Sequence, residues 1–458
     1  MGSKVWGMTD IASFVTADRE RIFSQLAEIV SFNSVHNEPG HEEFTAGAAA
    51  WMKSTLEEAG FAVEAIATTD GSTALLGTKA GSPDAKTVLL YSHYDVVPAG
   101  NRDAWESDPF TLTERVAADG STRWFGRGAA DCKGNIAMHL AALRAVEQAG
   151  GTELNLKVLI EGSEERGGEG LSALIKERPE LFAADAIMIA DAGNAKVGQP
   201  TLTTSLRGGA QINVKVDTLA AAVHSGQFGG AAPDAVKALM RALDSLTDEY
   251  GRTTIDGVDC SATWEGQAYE RADFRADAQM LDGTEIMGTA DDAVADFVWA
   301  RPAISVTGFT STPVAEAVNA VPATAEANLN LRVPAGTDAR AIAEAVCAHV
   351  KAHTPWGAHV NATVLEANDG FSTDPTAPAA TLLGECLSEA YGGTAVVAQG
   401  MGGSIPLTTE LQEAHPNAEI ALYGVEDPKA VIHSANESVD PSEIEAIAIA
   451  EALFLTRY

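Results

Sequence analysis

The chain has 458 residues, 46% of them hydrophobic and 21% charged, which is usual for a soluble globular protein with room for two or three domains. Its formal net charge of −34 argues against nucleic acid or an anionic membrane surface as a partner. The four cysteines form no CxxC pair, and no apolar run of roughly 18 residues is present. We therefore expect a cytoplasmic protein without a signal peptide, a membrane span or a thiolate zinc site.

The N-terminal part of the chain alternates between helical and strand-like patterns. Apolar residues at helical spacing predict helices at 19–32 and 41–59. The patterns that follow predict strands at 61–66, 73–77, 87–91, 156–161 and 185–190, a hairpin at 109–126, and helices at 135–149 and 170–177. This rhythm predicts an α/β fold with a mixed, mostly parallel sheet flanked by helices.

The pattern changes near residues 206–212, where polar and apolar residues begin to alternate. The middle of the chain predicts strands at 211–216, 303–308, 324–333 and 358–365 and helices at 233–247 and 338–353, whereas 251–300 is hard to assign beyond some helix at 290–299. The βα rhythm then resumes with a helix at 377–391, a strand at 394–398, a helix at 405–414, a strand at 418–423 and a helix after Asp440-Pro441. We therefore expect one domain over 1–206 and 368–458, with an inserted α+β domain over 207–367.

A polar segment, Ser92-His93-Tyr94-Asp95, follows the strand that is predicted at 87–91. In open α/β sheets, ligands usually bind at the carboxyl ends of the strands. His93 and Asp95 are two residues apart, so both side chains can point to the same side of an extended segment. Asp95 could instead lie behind the ring and fix the tautomer of a metal-binding His93. The alternative is a surface histidine beside an aspartate that caps a helix.

Three further segments deliver carboxylates at comparable places in the chain. Asp131 lies in a glycine-rich segment that lacks both GxxxxGK[ST] and GxGxxG, so nucleotide binding is not indicated. Glu164-Glu165 and Asp191 each follow a predicted buried strand. Two of these segments have an ordinary explanation: Asp131 as a carboxylate at a helix N-terminus, and Glu164-Glu165 as a solvated acidic loop. Together with His93 they predict a site for Zn²⁺, Mn²⁺ or Co²⁺. His433 is a plausible second imidazole ligand, although alone it would be an ordinary loop histidine.

These residues stand in motifs that resemble those of the M20 metallopeptidases, in particular the branch of the cytosolic non-specific dipeptidases and carnosinases. The motifs run in family order over nearly the whole chain. They are Ser92–Pro98, Trp105–Phe110, Gly126–Gly134, Glu161–Glu165, Asp191, Leu206–Gly209, His224–Gly226, Asn319–Pro322, Leu331–Pro334, Gly402–Pro406 and His433–Glu437.

The resemblance implies two divalent metal ions, zinc or manganese, with cobalt also compatible. Asp131 would bridge the two ions. His93 and Asp191 would complete one site, and Glu165 and His433 the other. Catalysis would use Glu164 as the general base on the water that bridges the metals, while Asp95 orients His93.

The resemblance also implies roles for the inserted domain. It would be a lid that joins two subunits into a homodimer, with its His224 reaching the neighbouring active site and stabilising the oxyanion. Arg332 and the turn that contains Gly403 and Ser404 would bind the substrate carboxylate, and Asn319 would line the same site.

The reaction that the resemblance implies is hydrolysis of the peptide bond of dipeptides. Three features favour a dipeptidase: the motif Gly402–Pro406, the large insert, and Asp191 rather than a glutamate as the terminal ligand. The family also contains enzymes that hydrolyse N-acyl amino acids, which is the alternative function. A non-catalytic binding protein is a further alternative, but it predicts a damaged ligand set, and every candidate ligand is present here.

Overall fold

The computed structural model describes residues 8–403 and 405–458. Contacts between residues divide the chain into two compact units. The first comprises Met1–Thr204, Thr373–Gln399 and Pro406–Tyr458, and the second comprises Ser205–Ser372 and Gly400–Ile405. The catalytic and lid roles that the sequence suggests for two parts of the chain remain predictions.

The strands and helices carry the following labels. The strands are β1 Ala62–Ala67, β2 Thr73–Lys79, β3 Thr87–His93, β4 Thr113–Val116, β5 Thr122–Phe125, β6 Asn155–Glu161, β7 Ala186–Ala190, β8 Thr201–Leu206, β9 Gly208–Asp217, β10 Val223–His224, β11 Ala303–Thr310, β12 Ala320–Val321, β13 Thr324–Val333, β14 His359–Asn368, β15 Phe371–Ser372, β16 Val397–Met401, β17 Glu419–Tyr423 and β18 Ser438–Val439. The helices are α1 Met8–Ala17, α2 Arg19–Val30, α3 Glu42–Glu58, α4 Lys133–Gln148, α5 Glu169–Glu177, α6 Ser225–Phe228, α7 Ala235–Asp244, α8 Arg271–Asp277, α9 Ala339–His353, α10 Pro378–Ala390, α11 Pro406–Ala414 and α12 Pro441–Arg457.

A mixed sheet forms the centre of the first unit. Its strands lie in the order β1-β2-β6-β3-β7-β17-β8. The four central strands β6, β3, β7 and β17 are parallel to one another, and β1, β2 and β8 pair antiparallel at the two sides. Helices α4 and α12 pack together, and α4 lies against β3. The expected mixed sheet with flanking helices is confirmed.

The buried strand β3 and helix α12 show why these residues take these structures. Val88, Leu89, Leu90 and Tyr91 are all buried, as a strand covered on both faces requires. Helix α12 begins at Pro441, a residue that suits the first helical position, and the Asp440 carboxylate before it accepts a hydrogen bond from the Ser442 N–H. Most residues of α12 are buried, which fits its largely apolar sequence.

The second unit is built on an antiparallel sheet in the order β11-β13-β9-β14. Along β9 the buried residues alternate with more exposed ones, so one face of the sheet forms a core with α7 and α9. The Asp234 and Asp338 side chains cap these two helices by accepting hydrogen bonds from backbone N–H groups in their first turns. This is the α+β arrangement that the alternating pattern predicts.

Some predicted boundaries are wrong. The strand that was expected at 394–398 is Val397–Met401, because the Thr394 N–H bonds back to Tyr391 O and closes the preceding helix. The helix expected at 233–247 ends at Asp244. The helix expected at 290–299 is a π-helical turn, Asp296–Ala300.

Candidate metal centre

Four neighbouring parallel strands bring polar side chains to one edge of the central sheet. Strand β3 ends at His93, β6 is followed by Glu164 and Glu165, and β7 is followed by Asp191. The carboxyl ends of parallel strands lie at the same edge, so strand order alone brings these residues close together. This is the edge at which the sequence predicts a metal site.

The two ring nitrogens of His93 have different surroundings. The Nδ1 atom lies 3.1 Å from the backbone oxygen of Asp95 and 3.3 Å from its Oδ1. The Nε2 atom is buried and has no hydrogen-bond partner in the described part of the chain. It lies 3.2 Å from Asp131 Oδ1 and 3.3 Å from Asp191 Oδ1. A proton on Nδ1 would satisfy Asp95 and leave the Nε2 lone pair directed at two carboxylates, an arrangement that a cation would stabilise.

Asp131 lies between two imidazoles. Its Oδ1 faces His93, and its Oδ2 lies 3.0 Å from Nε2 of His433. Burial acts to raise the pKa of Asp131, but the hydrogen bond with His433 and the nearby imidazole of His93 outweigh it and lower the pKa. The two oxygens of this carboxylate each face a different histidine, which is the position expected of a ligand that bridges two ions.

His433 and Glu165 form the other side of the cluster. The His433 Nε2 atom lies 3.1 Å from Glu165 Oε2, and the other carboxylate oxygen, Oε1, is buried without a hydrogen-bond partner among the described residues. Hydrogen bonds with Asp131 and Glu165 raise the pKa of His433 to about 10. Burial and the charge of Asp131 raise the pKa of Glu165 to about 7. His433 also has a backbone φ of 62°, an uncommon conformation for a residue other than glycine.

Asp95 holds the segment that carries Glu164 and Glu165. Its two carboxylate oxygens accept hydrogen bonds from the backbone N–H groups of Glu164, at 3.1 Å, and of Glu165, at 3.0 Å. The Glu164 Oε2 atom lies 3.9 Å from Nε2 of His93. Burial, reinforced by the negative charge of Asp191, raises the pKa of Glu164. Asp95 therefore orients the His93 ring and holds the backbone that carries Glu164 and Glu165.

Glu426 is a further carboxylate at this centre that the sequence analysis missed. Oxygen atoms of Glu426, Asp131 and Asp191 all lie within 4.8 Å of one another. Glu426 follows β17, the fourth of the central parallel strands. Asp191 was predicted because it follows a buried parallel strand. Glu426 could have been predicted in the same way, had the sequence revealed that β17 lies next to β7.

The remaining predicted residues belong to the second unit. His224 on β10 is exposed, and the neighbouring Ser225 N–H donates to the backbone oxygen of Asn319. Arg332 lies on β13, opposite Gly209 of β9. Gly403 is described, and Ser404 lies outside the described residues. The metal-ligand candidates, in contrast, all belong to the first unit.

The donor set fits a divalent metal. Ligand atoms of His93, Asp131 and Glu165 lie within 4.8 Å of one another. An imidazole nitrogen without a hydrogen-bond partner, surrounded by carboxylate oxygens, is the chemistry that Zn²⁺, Mn²⁺ and Co²⁺ prefer over thiophilic ions. The fold and this donor set together define an α/β protein with a candidate centre for divalent metal ions.

Comparisons with known proteins identify the family. Residues 89–457 match the model of peptidase family M20/M25/M40, and the chain belongs to this family of metallopeptidases. It is 56% identical to the cysteinylglycine-S-conjugate dipeptidase of Corynebacterium striatum over 97% of both chains. Among the described helices, none is long and apolar enough to cross a membrane.

Solved structures share the fold. The dipeptidase Dug1p of Saccharomyces cerevisiae superposes with a TM-score of 0.79 at 24% identity and covers 98% of both chains. Human carnosine dipeptidase 1 has the same TM-score, 0.79, at 22% identity, again over 98% of both chains. At these identities the likeness supports the architecture.

Proposed function

We propose that this protein is a dipeptidase that hydrolyses the peptide bond of dipeptides with a free amino group, using two divalent metal ions. The observation that carries the proposal is the buried Nε2 atom of His93, which faces Asp131 and Asp191 without a hydrogen-bond partner among the described residues. The 56% identical relative is named for hydrolysis of cysteinylglycine S-conjugates, which are dipeptides. Cys-Gly and its S-conjugates are therefore the first substrates to test.

The ligands fall into two sets that share Asp131. His93 and Asp191 would complete one set, and Glu165 and His433 the other, in agreement with the contacts of each histidine. Zinc or manganese ions, and also cobalt, suit these ligands. When bound, two such ions supply a Lewis acid for the scissile carbonyl and make a water molecule more acidic.

Residues of the chain would carry out the proton transfers. Glu164 is the proposed general base, which takes a proton from the attacking water and delivers it to the amine that leaves. The hydrogen bonds from its backbone and that of Glu165 to Asp95 hold it beside His93. Asp95 would also keep the His93 proton on Nδ1, so that Nε2 remains available as a ligand.

The second unit is proposed to supply contacts to the substrate. His224 would stabilise the oxyanion, and its exposure leaves the ring accessible for that role. Arg332, with its planar guanidinium group, and the turn with Gly403 and Ser404 would bind the substrate carboxylate, beside Asn319. A homodimer formed through this unit and a cytoplasmic location remain predictions.

The proposal is tested by two substrates that differ at the amino end. Metal-loaded protein is incubated with Ala-Leu and with N-acetyl-leucine, and release of leucine is measured. The expected result is fast hydrolysis of Ala-Leu, little of N-acetyl-leucine, and loss of activity after dialysis against a chelator.

Other outcomes assign the protein differently. Preference for N-acetyl-leucine would make it an N-acyl amino acid hydrolase. Inactivity on Ala-Leu, Cys-Gly and N-acetyl-leucine, with metal bound, would contradict the dipeptidase assignment and favour a binding protein.

A further inference from the structure

The proposed function, on which this inference rests, leaves Glu426 without a role. Glu426 is partly exposed, and its carboxylate lies beside Asp131 and Asp191. Both metal sets described above are complete without it. A carboxylate at a metal centre that no ion requires is available to bind another cation.

The backbone of Glu426 is fixed against the segment that follows Asp191. The Asn194 N–H donates to the Glu426 backbone oxygen at 2.8 Å. A Cβ atom added to Gly193 would lie 2.3 Å from that oxygen and 2.5 Å from the Glu426 Cβ atom, so only glycine fits there. Glu426 is therefore held at a fixed position next to Asp191.

Charge balance leaves Glu426 in excess. Two divalent ions would be matched by four carboxylates, Asp131, Glu164, Glu165 and Asp191. With both ions bound, an ionised Glu426 would add a fifth negative charge within reach of the same group. The excess charge favours a monovalent cation bound beside the metals.

The substrate carries such a cation at the required place. In a dipeptide the α-amino nitrogen is separated from the scissile carbonyl carbon by one atom, a distance of about 2.5 Å. A group that recognises the amine must therefore lie very close to the metals. Glu437 and Glu161 are two further carboxyl groups near this centre, but both are buried, and Glu437 is paired with Arg127. Glu426 is partly exposed and is therefore the more accessible to a substrate.

We propose that Glu426 binds the protonated amino group of the substrate and thereby selects dipeptides over N-acyl amino acids. The matched ligands are Ala-Leu and N-propionyl-leucine, because the second is Ala-Leu without its amino group. A charge-assisted hydrogen bond to the amine would favour Ala-Leu by roughly 10- to 100-fold in affinity.

The test measures binding and metal content separately. The two ligands are titrated calorimetrically into metal-loaded Glu164→Gln protein, in which the proposed base is disabled, with and without Glu426→Gln. Glu426→Gln should remove most of the preference for Ala-Leu, leave N-propionyl-leucine binding unchanged, and leave the metal content after dialysis unchanged. Glu413→Gln, which removes an exposed charge on α11, should change none of these values.

Each other outcome has a defined meaning. The assignment would be overturned if the protein that retains Glu426 bound Ala-Leu no more tightly than N-propionyl-leucine. It would also be overturned if the preference for Ala-Leu remained in the Glu426→Gln protein. A lower metal content in Glu426→Gln would also overturn it, because Glu426 would then be a metal ligand. If the wild-type protein hydrolyses no dipeptide but Glu426→Gln still removes an amine preference in binding, the dipeptidase proposal fails and the amine site stands.

Discussion

Glu164 and Glu165 are adjacent in the chain, yet their surroundings differ. Glu165 contacts His433, whereas the nearest histidine contact of Glu164 is the longer one to His93. The side chain of Glu165 is thus placed as a ligand and that of Glu164 as a group beside the ligands. Burial raises the pKa of both.

This difference predicts the effect of Glu164→Gln. The amide keeps the size of the side chain but cannot accept a proton, so kcat should fall by about 10²- to 10⁴-fold while metal content is unchanged. Leucine release from Ala-Leu and elemental analysis of the dialysed protein measure the two quantities. Glu169→Gln, at an exposed position on α5, is the matched control. Near wild-type turnover in Glu164→Gln would rule out the role of general base.

His433 predicts that metal binding depends on pH. Without metal its pKa is raised from 6.5 to about 10, so the ring carries a proton at neutral pH, and a metal must displace that proton. Metal affinity should therefore rise as the pH increases from 7 towards 10. In the metal-free protein, the contacts of protonated His433 with Asp131 and Glu165 stabilise the fold, and this contribution has the opposite pH dependence. It is complete below pH 6.5 and is lost as the pH approaches 10.

Calorimetric titration of Zn²⁺ at pH 8, in buffers of different ionisation heat, counts the protons released. We expect at least one, and one fewer in His433→Gln. His359→Gln, which changes an exposed histidine on β14, should release as many as the wild type. A pH-independent affinity would contradict this account of His433.

At the scale of elements, Glu437 joins the two segments that carry Asp131 and His433. Its carboxylate accepts hydrogen bonds from the backbone N–H groups of Gly128, Ala130 and Asp131, each at 3.1 Å. It also pairs with Arg127, and both side chains are buried. Strand β18, which starts at the next residue, pairs with β5, which precedes the Asp131 segment. Glu437 thus fixes the backbone from which Asp131 reaches the metal centre.

Glu437→Gln should therefore be costly. Removal of the charge leaves Arg127 buried without its counter-ion, which is expected to destabilise the fold by about 3 kcal/mol. Metal affinity should fall as well, because Asp131 is less firmly placed. Urea unfolding followed by circular dichroism, with a Zn²⁺ titration, measures both effects.

The control for Glu437→Gln is Asp108→Asn, which removes the charge from an exposed pair with Arg102 and should change stability by less than about 1 kcal/mol. Equal stability of Glu437→Gln and the wild type would contradict the positioning role of Glu437.

The periodicity of the sequence predicted most elements of the first unit but little of residues 251–300. That segment is fixed largely by side-chain contacts between distant residues: Arg252 pairs with Asp292, the Trp264 N–H donates to Asp296, and Tyr269 stacks on Trp299. Such contacts leave no repeating apolar pattern. They cannot be read from local spacing, because each depends on residues roughly 30 or more positions apart.

At the scale of the whole molecule, the net charge of −34 predicts a dependence on salt. Repulsion between surface carboxylates destabilises the folded chain, and salt screens it as the Debye length falls from ~30 Å at 0.01 M to ~3 Å at 1 M. The thermal unfolding midpoint should therefore rise with NaCl concentration at pH 7.5. Differential scanning fluorimetry measures it, and the effect should weaken at pH 5.5, closer to the sequence pI of about 4.5. A midpoint that is independent of salt would show that repulsion is unimportant.

Burial and spacing are local properties of the chain, and from them alone His93, Glu164, Glu165 and Asp191 could be placed at the ends of buried strands. Motif resemblance then indicated the family, which the comparisons confirm. The pairing of β17 with β7 and the contact of Glu437 with the Asp131 segment became apparent only in the folded chain. Strand order and side-chain contacts depend on residues far apart in the chain, and for this reason Glu426 and Glu437 had no recognisable role in the sequence.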